Sequence, residues 1–357
     1  MNRLQAIQNA VRDEGLDALL LTSPVARQYA AGFRSSAGAA VVTPEACLFL
    51  TDFRYIEAAR ERVRGMEVRM TTHERPLRKQ AAEWLYDRGA IEIGFEADTL
   101  TAEELELWQK EPGFRFRPAH KLARDLRMRK DEGEIRAIEA AQRVAERALS
   151  EVLETVLRPG LTERQVCAEL VYRLHLYGAD GPSFPPIVVS GPNSALPHGE
   201  PGGRVLERGD CVTVDFGAAL GGYGSDMTRT VFLGRADDEQ KRVYGVVLQA
   251  QEAGIAAIRA GRTGAEIDEA ARAVIRGAGY GDYFGHGFGH GVGIEIHEGP
   301  RLSVSGEDPI PAGAVVTAEP GIYLPGKFGV RIEDMLAVTE DGCRNLTRAP
   351  KELREIG

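Results

Sequence analysis

The second half of the chain is written twice. Arg158-Pro159-Gly160-Leu161-Thr162-Glu163-Arg164-Gln165-Val166 aligns with Arg259-Ala260-Gly261-Arg262-Thr263-Gly264-Ala265-Glu266-Ile267 at an offset of 101. In each copy one long helix ends and another starts at a capping box, Thr-x-x-Gln or Thr-x-x-Glu. Apolar residues at helical spacing mark the helices: Ile135, Ile138, Leu149, Val152 and Val156, then Val166, Leu170 and Leu174, and again Ile267, Ala271 and Val274. The strands repeat too. Gly209-Asp210-Cys211-Val212-Thr213-Val214-Asp215 matches Gly313-Ala314-Val315-Val316-Thr317-Ala318-Glu319 at an offset of 104. Each is followed by a glycine-rich turn and a further strand, 225–232 and 330–338, with Asp226 in the one and Glu333 in the other. Two like halves, each helix, helix, strand, hairpin, strand, are expected to join their strands into one curved antiparallel sheet with the helices outside.

The repeat places four acids at matched positions. Strand alternation puts Thr213 and Asp215 on one face and Val212, Val214 and Phe216 on the other. Asp226 shares a face with Thr228 and Thr230, and Glu333 with Arg331. A single strand acid is usually a surface residue. Four that converge cannot all stay ionised without a cation, because like charges in one pocket raise each other's pKa. Two divalent ions would balance them.

Histidine and glycine mark the same half. Glycine supplies 8 of residues 1–150 but 33 of residues 151–357, and it gathers where backbone turns tightly or passes close to a neighbour. Three histidines fall within His286-Gly287-Phe288-Gly289-His290-Gly291-Val292-Gly293-Ile294-Glu295-Ile296-His297. Alternate glycines forbid a stable helix, so this is an extended segment with inward imidazoles and not an HExxH zinc helix. His198 stands apart in Leu196-Pro197-His198-Gly199.

The first 120 or so residues alternate short strands and helices. Helices are expected over 3–14, 52–64 and 77–88, and strands over 18–21, 39–43, 46–50 and 92–95, which makes an α/β domain. The basic run 121–130 reads as the solvated approach to a helix opening at Asp131-Glu132, and the boundary falls there, giving domains 1–125 and 126–357. Net charge is −9, which disfavours nucleic acid and polybasic membrane binding. Residues 1–7 are polar and helical, unlike a signal peptide, and no apolar run would span a membrane. Four scattered cysteines without a CxxC pair read as buried thiols in a reducing compartment, so the cytoplasm is the expected location.

The order Asp215, Asp226, His290, Glu319, Glu333, with Glu319-Pro320-Gly321-Ile322-Tyr323 and Arg331-Ile332-Glu333-Asp334, resembles the pita-bread metallopeptidases, and among them the Xaa-Pro aminopeptidases and proline dipeptidases. The resemblance spans essentially the whole chain. Tyr29-Ala30-Ala31-Gly32-Phe33 and Thr51-Asp52-Phe53-Arg54-Tyr55 resemble signatures of the family's creatinase-like N-terminal domain. It implies an α+β chain, a creatinase-like α/β domain followed by a pita-bread catalytic domain.

The resemblance further implies two divalent ions per subunit, with Asp215 and Glu333 bridging, Asp226 on one ion, and His290 with Glu319 on the other. Carboxylate oxygens with one imidazole suit Mn²⁺ first, or Co²⁺, and admit Zn²⁺ or Fe²⁺. Glu319 is the candidate proton carrier. His198 and His297 would hydrogen-bond the substrate carbonyl and the tetrahedral intermediate, while His286 and Arg331 would line the proline side. The expected substrate is a peptide with proline second, and the expected assembly a homodimer. The reading leans to the aminopeptidase, because no clamp for a free carboxylate is legible beyond the loop residue Arg34. The dipeptidase is the alternative. A methionine aminopeptidase and a binding module without catalysis are further ones.

Overall fold

The structure is a computed structural model that describes residues 3–357; Met1 and Asn2, the start of the polar N-terminal stretch, lie outside the described residues. The chain divides into two compact units, one ending at Arg127 and the other beginning at Met128.

The first unit is built on a six-stranded sheet. Its order is Glu67–Met70, Cys47–Thr51, Ala39–Val42, Ala18–Leu21, Glu92–Phe95, Arg115–Pro118. The central strands are buried along their whole length, so they read as continuous apolar runs. The two edge strands are charged, Glu67–Met70 half-buried and Arg115–Pro118 mostly exposed, and for that reason sequence patterning does not pick them out. The helix expected over 52–64 is only Ile56–Arg62: Asp52 accepts from the backbone N–H and guanidinium of Arg54, and this local turn delays the helix start.

The second unit carries the repeat. Thr162 and Thr263 both cap their helices through complete boxes with Gln165 and Glu266. In the first half Ile187–Ser190, Cys211–Phe216, Met227–Leu233 and Glu355–Ile356 form a sheet. In the second half Glu298–Leu302, Gly289–Gly291, Val315–Ala318, Asp334–Val338 and Cys343–Asn345 form another. The helices Glu132–Glu151 and Glu163–Leu176 pack Leu149, Val166 and Leu170 against Val212, Val214 and Phe216. The helices Asp238–Ala257 and Gly264–Gly277 pack Val243, Val247, Ile267 and Ala271 against Val316, Ala318 and Leu336. Apolar side chains thus fill the space between each sheet and its own helices, as the repeat requires.

The first sheet meets the second half, at the hairpin of Gly321–Leu324 and Phe328–Arg331 and at the residues just after it, through a few bonds rather than a continuous ladder. Glu333 N–H donates to Thr228 O (3.1 Å), Arg331 N–H donates to Thr230 Oγ1 (3.1 Å), and Thr230 Oγ1 donates to Arg331 O (2.9 Å). This junction explains a departure from the expected strands. The segment 330–338 is not one strand; it breaks between Phe328–Arg331 and Asp334–Val338, because the Glu333 amide turns to serve the other sheet. The strand expected from 225 begins at Met227, so Asp226 lies in the turn before it.

The basic run does not behave as a solvated helix approach throughout. Lys130 is buried, with its Nζ 2.5 Å from Glu298 Oε1, and both side chains are at most 4% exposed. A cation so deep must be paired. Glu298 follows His297, so this ion pair anchors the end of the histidine segment.

Candidate metal centre and active site

Five sequence-distant residues, each in or beside a strand, converge. Asp215 is near the end of Cys211–Phe216 and pairs across the ladder with Thr228. Asp226 precedes Met227–Leu233, His290 is the middle residue of Gly289–Gly291, Glu319 follows Val315–Ala318, and Glu333 sits in the break described above. Ligand atoms of Asp226, His290 and Glu333 all lie within 4.8 Å of one another. His290 Nε2 is 3.2 Å from Glu319 Oε1 and 3.7 Å from Asp226 Oδ2.

The glycines of the histidine segment are needed for this approach. A Cβ at Gly289 would run into the Thr317 carbonyl, and one at Gly291 into the Gly299 carbonyl. Without side chains at these positions the strand threads between its two neighbours, and His290 N–H reaches Thr317 Oγ1 at 3.0 Å.

Electrostatics set the protonation of the cluster. Burial, then the charges of Asp215 and Glu319, push the Asp226 carboxyl well above its ordinary value, though His290 opposes this. Burial and the charges of Asp226, Glu319 and Asp215 do the same to Glu333. Burial also raises Asp215, although Arg331 Nη2 donates to its Oδ2 at 2.5 Å. Burial alone would raise Glu319, yet the hydrogen bond and charge of His290 outweigh it and hold the carboxyl at about 2. Burial would likewise lower His290, but Glu319 and Asp226 lift it to about 9. Without an ion, then, the cluster favours protonated over ionised carboxyls at Asp226 and Glu333 and a charged imidazole at His290.

The same residues fit a divalent metal. Asp215 Oδ1 is buried with no hydrogen-bond partner, an orphan acceptor that a cation would satisfy. When His290 Nδ1–H donates to Gly291 O (3.1 Å), Nε2 is left facing the carboxylates with its lone pair free, the tautomer a metal ligand needs. Four carboxylates and an imidazole nitrogen suit a borderline or hard divalent ion.

The remaining histidines and Arg331 surround this cluster. His297 is exposed and tilts against the His290 ring with centroids 4.4 Å apart; burial of its ring and the His290 charge lower its pKa. His198 is exposed in the turn after Gly191–Ala195, near enough that its charge bears on both His286 and His297. Arg331 is 4% exposed and gives one N–H each to Asp215, Tyr323 Oη (2.7 Å), Thr228 Oγ1 (3.1 Å) and Pro197 O (3.2 Å). Tyr323 Oη is in turn 2.9 Å from His286 Nε2, and His286 Nδ1 is 2.8 Å from Gly287 O. Burial lowers the His286 pKa, so the ring is neutral and only one proton arrangement serves both bonds: Nδ1–H donates to Gly287 O and Nε2 accepts from Tyr323.

Several contributors escape the sequence reading. Tyr323 links Arg331 to His286; the Pro325-Gly326 turn was the available signal, since the hairpin it closes pairs Gly321 with Arg331 and puts Tyr323 on their face. Thr228 Oγ1 accepts from Arg331 and donates to Glu333 Oε2 at 2.7 Å. Asp268 and Arg272, one turn apart on a helix, clamp the loop before His290. Arg272 donates to Phe284 O and His286 O, and Asp268 accepts from Phe288 N–H. No local pattern distinguishes that pair from an ordinary surface ion pair.

Comparison with known proteins places the chain. Its residues 136–340 match the description "Metallopeptidase family M24" and residues 3–129 match "Creatinase/Prolidase N-terminal domain". The chain is similar to an Xaa-Pro dipeptidase from Bacillus anthracis of known structure, with 40% identity, 99% of each chain covered and a TM-score of 0.94. An X-Pro aminopeptidase from Thermotoga maritima has 36% identity and a TM-score of 0.92, over 98% of this chain and 100% of that one. An Xaa-Pro dipeptidase from Pyrococcus furiosus is 35% identical, over 98% of this chain and 99% of its own length. With its two domains and its convergent acids and histidine, the chain belongs to the M24 metallopeptidases, an enzyme with a creatinase/prolidase N-terminal domain and a pita-bread catalytic domain.

Proposed function

We propose that this metallopeptidase is a proline dipeptidase, hydrolysing the bond between a first residue and proline in an Xaa-Pro dipeptide. The observation that carries the reading is 35–40% identity, over nearly the whole chain, to proteins described as Xaa-Pro dipeptidases. It reverses the lean to the aminopeptidase drawn from sequence, which rested on the lack of a legible carboxylate clamp. A homodimer working in a reducing compartment belongs to the same proposal, and the four free cysteines support the compartment.

In this reading Asp215, Asp226, His290, Glu319 and Glu333 hold two divalent ions, Mn²⁺ first and Co²⁺, Zn²⁺ or Fe²⁺ as substitutes. Such a pair supplies Lewis acidity and a water made acidic enough to attack an amide at neutral pH. Glu319 takes the proton of the attacking water and returns it to the proline nitrogen, which must be protonated to leave as a secondary amine. His297 and His198, both exposed, are free to donate to the scissile carbonyl and to the charge that develops on it. Arg331 braces Asp215 and, through Tyr323, holds His286 in one tautomer, so that this imidazole offers the proline ring a fixed, neutral wall.

The test compares an Xaa-Pro dipeptide with the matching Xaa-Pro-Yaa tripeptide. We expect the dipeptide to have the higher kcat/KM, activity to vanish on exhaustive chelation, and Mn²⁺ to restore it. A tripeptide preference would instead favour the aminopeptidase, the reading that the Thermotoga maritima structure supports. Release of methionine from peptides without a second-position proline would defeat both.

A further inference from the structure

Behind the sheet of the first repeat lies a cavity of about 610 Å³ that the reaction does not use. The strand Met227–Leu233 stands between it and the metal centre: Thr228 turns its hydroxyl to Glu333, whereas Arg229, Thr230 and Val231 line the cavity. The inner wall is apolar: Leu149, Leu153, Val231 and Tyr244 are each no more than 5% exposed. The mouth is cationic, with the exposed Arg147, Arg348 and Arg354.

The charges of this cavity do not cancel. Five arginines line it against two glutamates; Arg143 is paired with Glu146 and Arg229 with Asp334 behind the wall, which leaves Arg147 and Arg354 to set the sign of the mouth. Among the described residues, Arg147 and Arg354 have no carboxylate within ion-pair distance. Arg147 stands over the Tyr177 ring at 3.8 Å, and Arg348 is 3.3 Å from Glu139. A concave apolar floor with a few convergent charges at its mouth is the usual form of a small-molecule site. The guanidinium fork matches the paired oxygens of a carboxylate or phosphate.

We propose that this cavity binds an anionic amphiphile: a small molecule with one carboxylate or phosphate head held by Arg147 and Arg354, and an apolar body against Leu149, Leu153 and Val231. The occupant would also lie against Arg229. This guanidinium donates to the carbonyls of Thr228 (2.9 Å) and Glu333 (2.6 Å), so the site backs directly on the segment that carries Glu333. Dipeptide substrate, a zwitterion taken up on the opposite face, does not meet these requirements.

Calorimetric titration of the full, metal-loaded chain tests the proposal with decanoate, decyl phosphate and decyltrimethylammonium. Either anion is expected to bind at one equivalent, the tighter of the two identifying the head group, and the ammonium of equal length is expected not to bind. Arg147→Glu combined with Arg354→Glu should weaken the anion roughly tenfold or more, about the effect of losing one good charge contact, while dipeptide hydrolysis stays at the parent level. Leu153→Trp should close the floor and abolish binding, with the melting temperature checked alongside. Failure of both anions to bind at millimolar concentration would overturn the assignment. So would equal binding of the ammonium, or an affinity indifferent to the charge reversal.

Discussion

At the scale of single residues, the division of labour between histidines can be measured. His290 faces Asp226, Glu319 and Glu333, whereas His297 and His198 are exposed, His297 with its ring against that of His290. His290→Ala is therefore expected to lose metal and activity together. His198→Ala should keep its metal while kcat falls by about 10²–10³, the usual effect of removing one donor to a developing oxyanion. Metal analysis of the two purified variants decides, and equal metal loss in both would refute the division. Arg331 makes a second case. Lysine keeps the charge beside Asp215 but cannot also serve Tyr323, Thr228 and Pro197 O from one ammonium. We expect Arg331→Lys to lower kcat/KM by roughly tenfold or more and stability by about 1–3 kcal/mol, the range for stranding buried polar partners. A lysine variant that works like the parent would reduce Arg331 to a spectator.

Elements explain why some of this could be read in advance and some could not. The acids and His290 were legible because their residue types are rare at buried strand positions and because the repeat doubled the signal. Thr228 and Thr317 were not, since a threonine in a strand is first of all a β-former, and its use as a hydroxyl bridge appears only when residues 105 positions apart meet, as Thr228 and Glu333 do. In the first unit the helix Pro24–Ala31 was missed although its punctuation is plain. Ser23 accepts from Ala26 N–H, Pro24 opens the helix, and Gly32 closes it at φ 62°. Its eight residues are too few for a periodicity argument. The glycine strand is the element whose sequence most directly dictates geometry. Gly289→Ala has to displace the Thr317 carbonyl or the strand itself, and overpacking of this kind costs about 1–3 kcal/mol. Because His290 is the next residue, the expected outcome is a lower melting temperature together with weakened metal binding. Denaturation and metal titration of the variant would expose a tolerant strand if neither changed.

The molecule as a whole should report its metal through the pH dependence of its stability. In the metal-free chain, burial and neighbouring carboxylates raise the carboxyl pKa of Asp226 and Glu333, and Glu319 with Asp226 lifts that of His290 to about 9. The unfolded chain has released these protons by pH 7. A folded state that binds more protons than the unfolded one loses stability as pH rises, by about 1.4 kcal/mol per pH unit for each proton of difference. His286 and His297, whose pKa values are lowered, act in the opposite direction, but only below their unfolded values, so they do not mask the effect from pH 7 to 9. The raised cysteines act alike in both forms, and comparison with the metal-loaded protein removes their share. Chelated protein should therefore melt at falling temperature from pH 7 to 9, and the metal-loaded protein should not follow it. Parallel curves would show that the cluster does not carry those protons.

The two halves are alike in frame but not in content. Val212 and Val316 are equivalent in the repeat; Ser190 pairs with the first and Gly291 with the second, which sets Val189 opposite Thr213 where the other half has His290 beside Thr317. One half therefore offers the cleft an imidazole and the other an isopropyl group. A strictly symmetric cleft could not tell the amino end of a peptide from its carboxyl end. By departing from its own duplication at this one strand position, the chain acquires a sense of direction, and the dipeptidase proposed above, which must tell the two ends of its substrate apart, needs one.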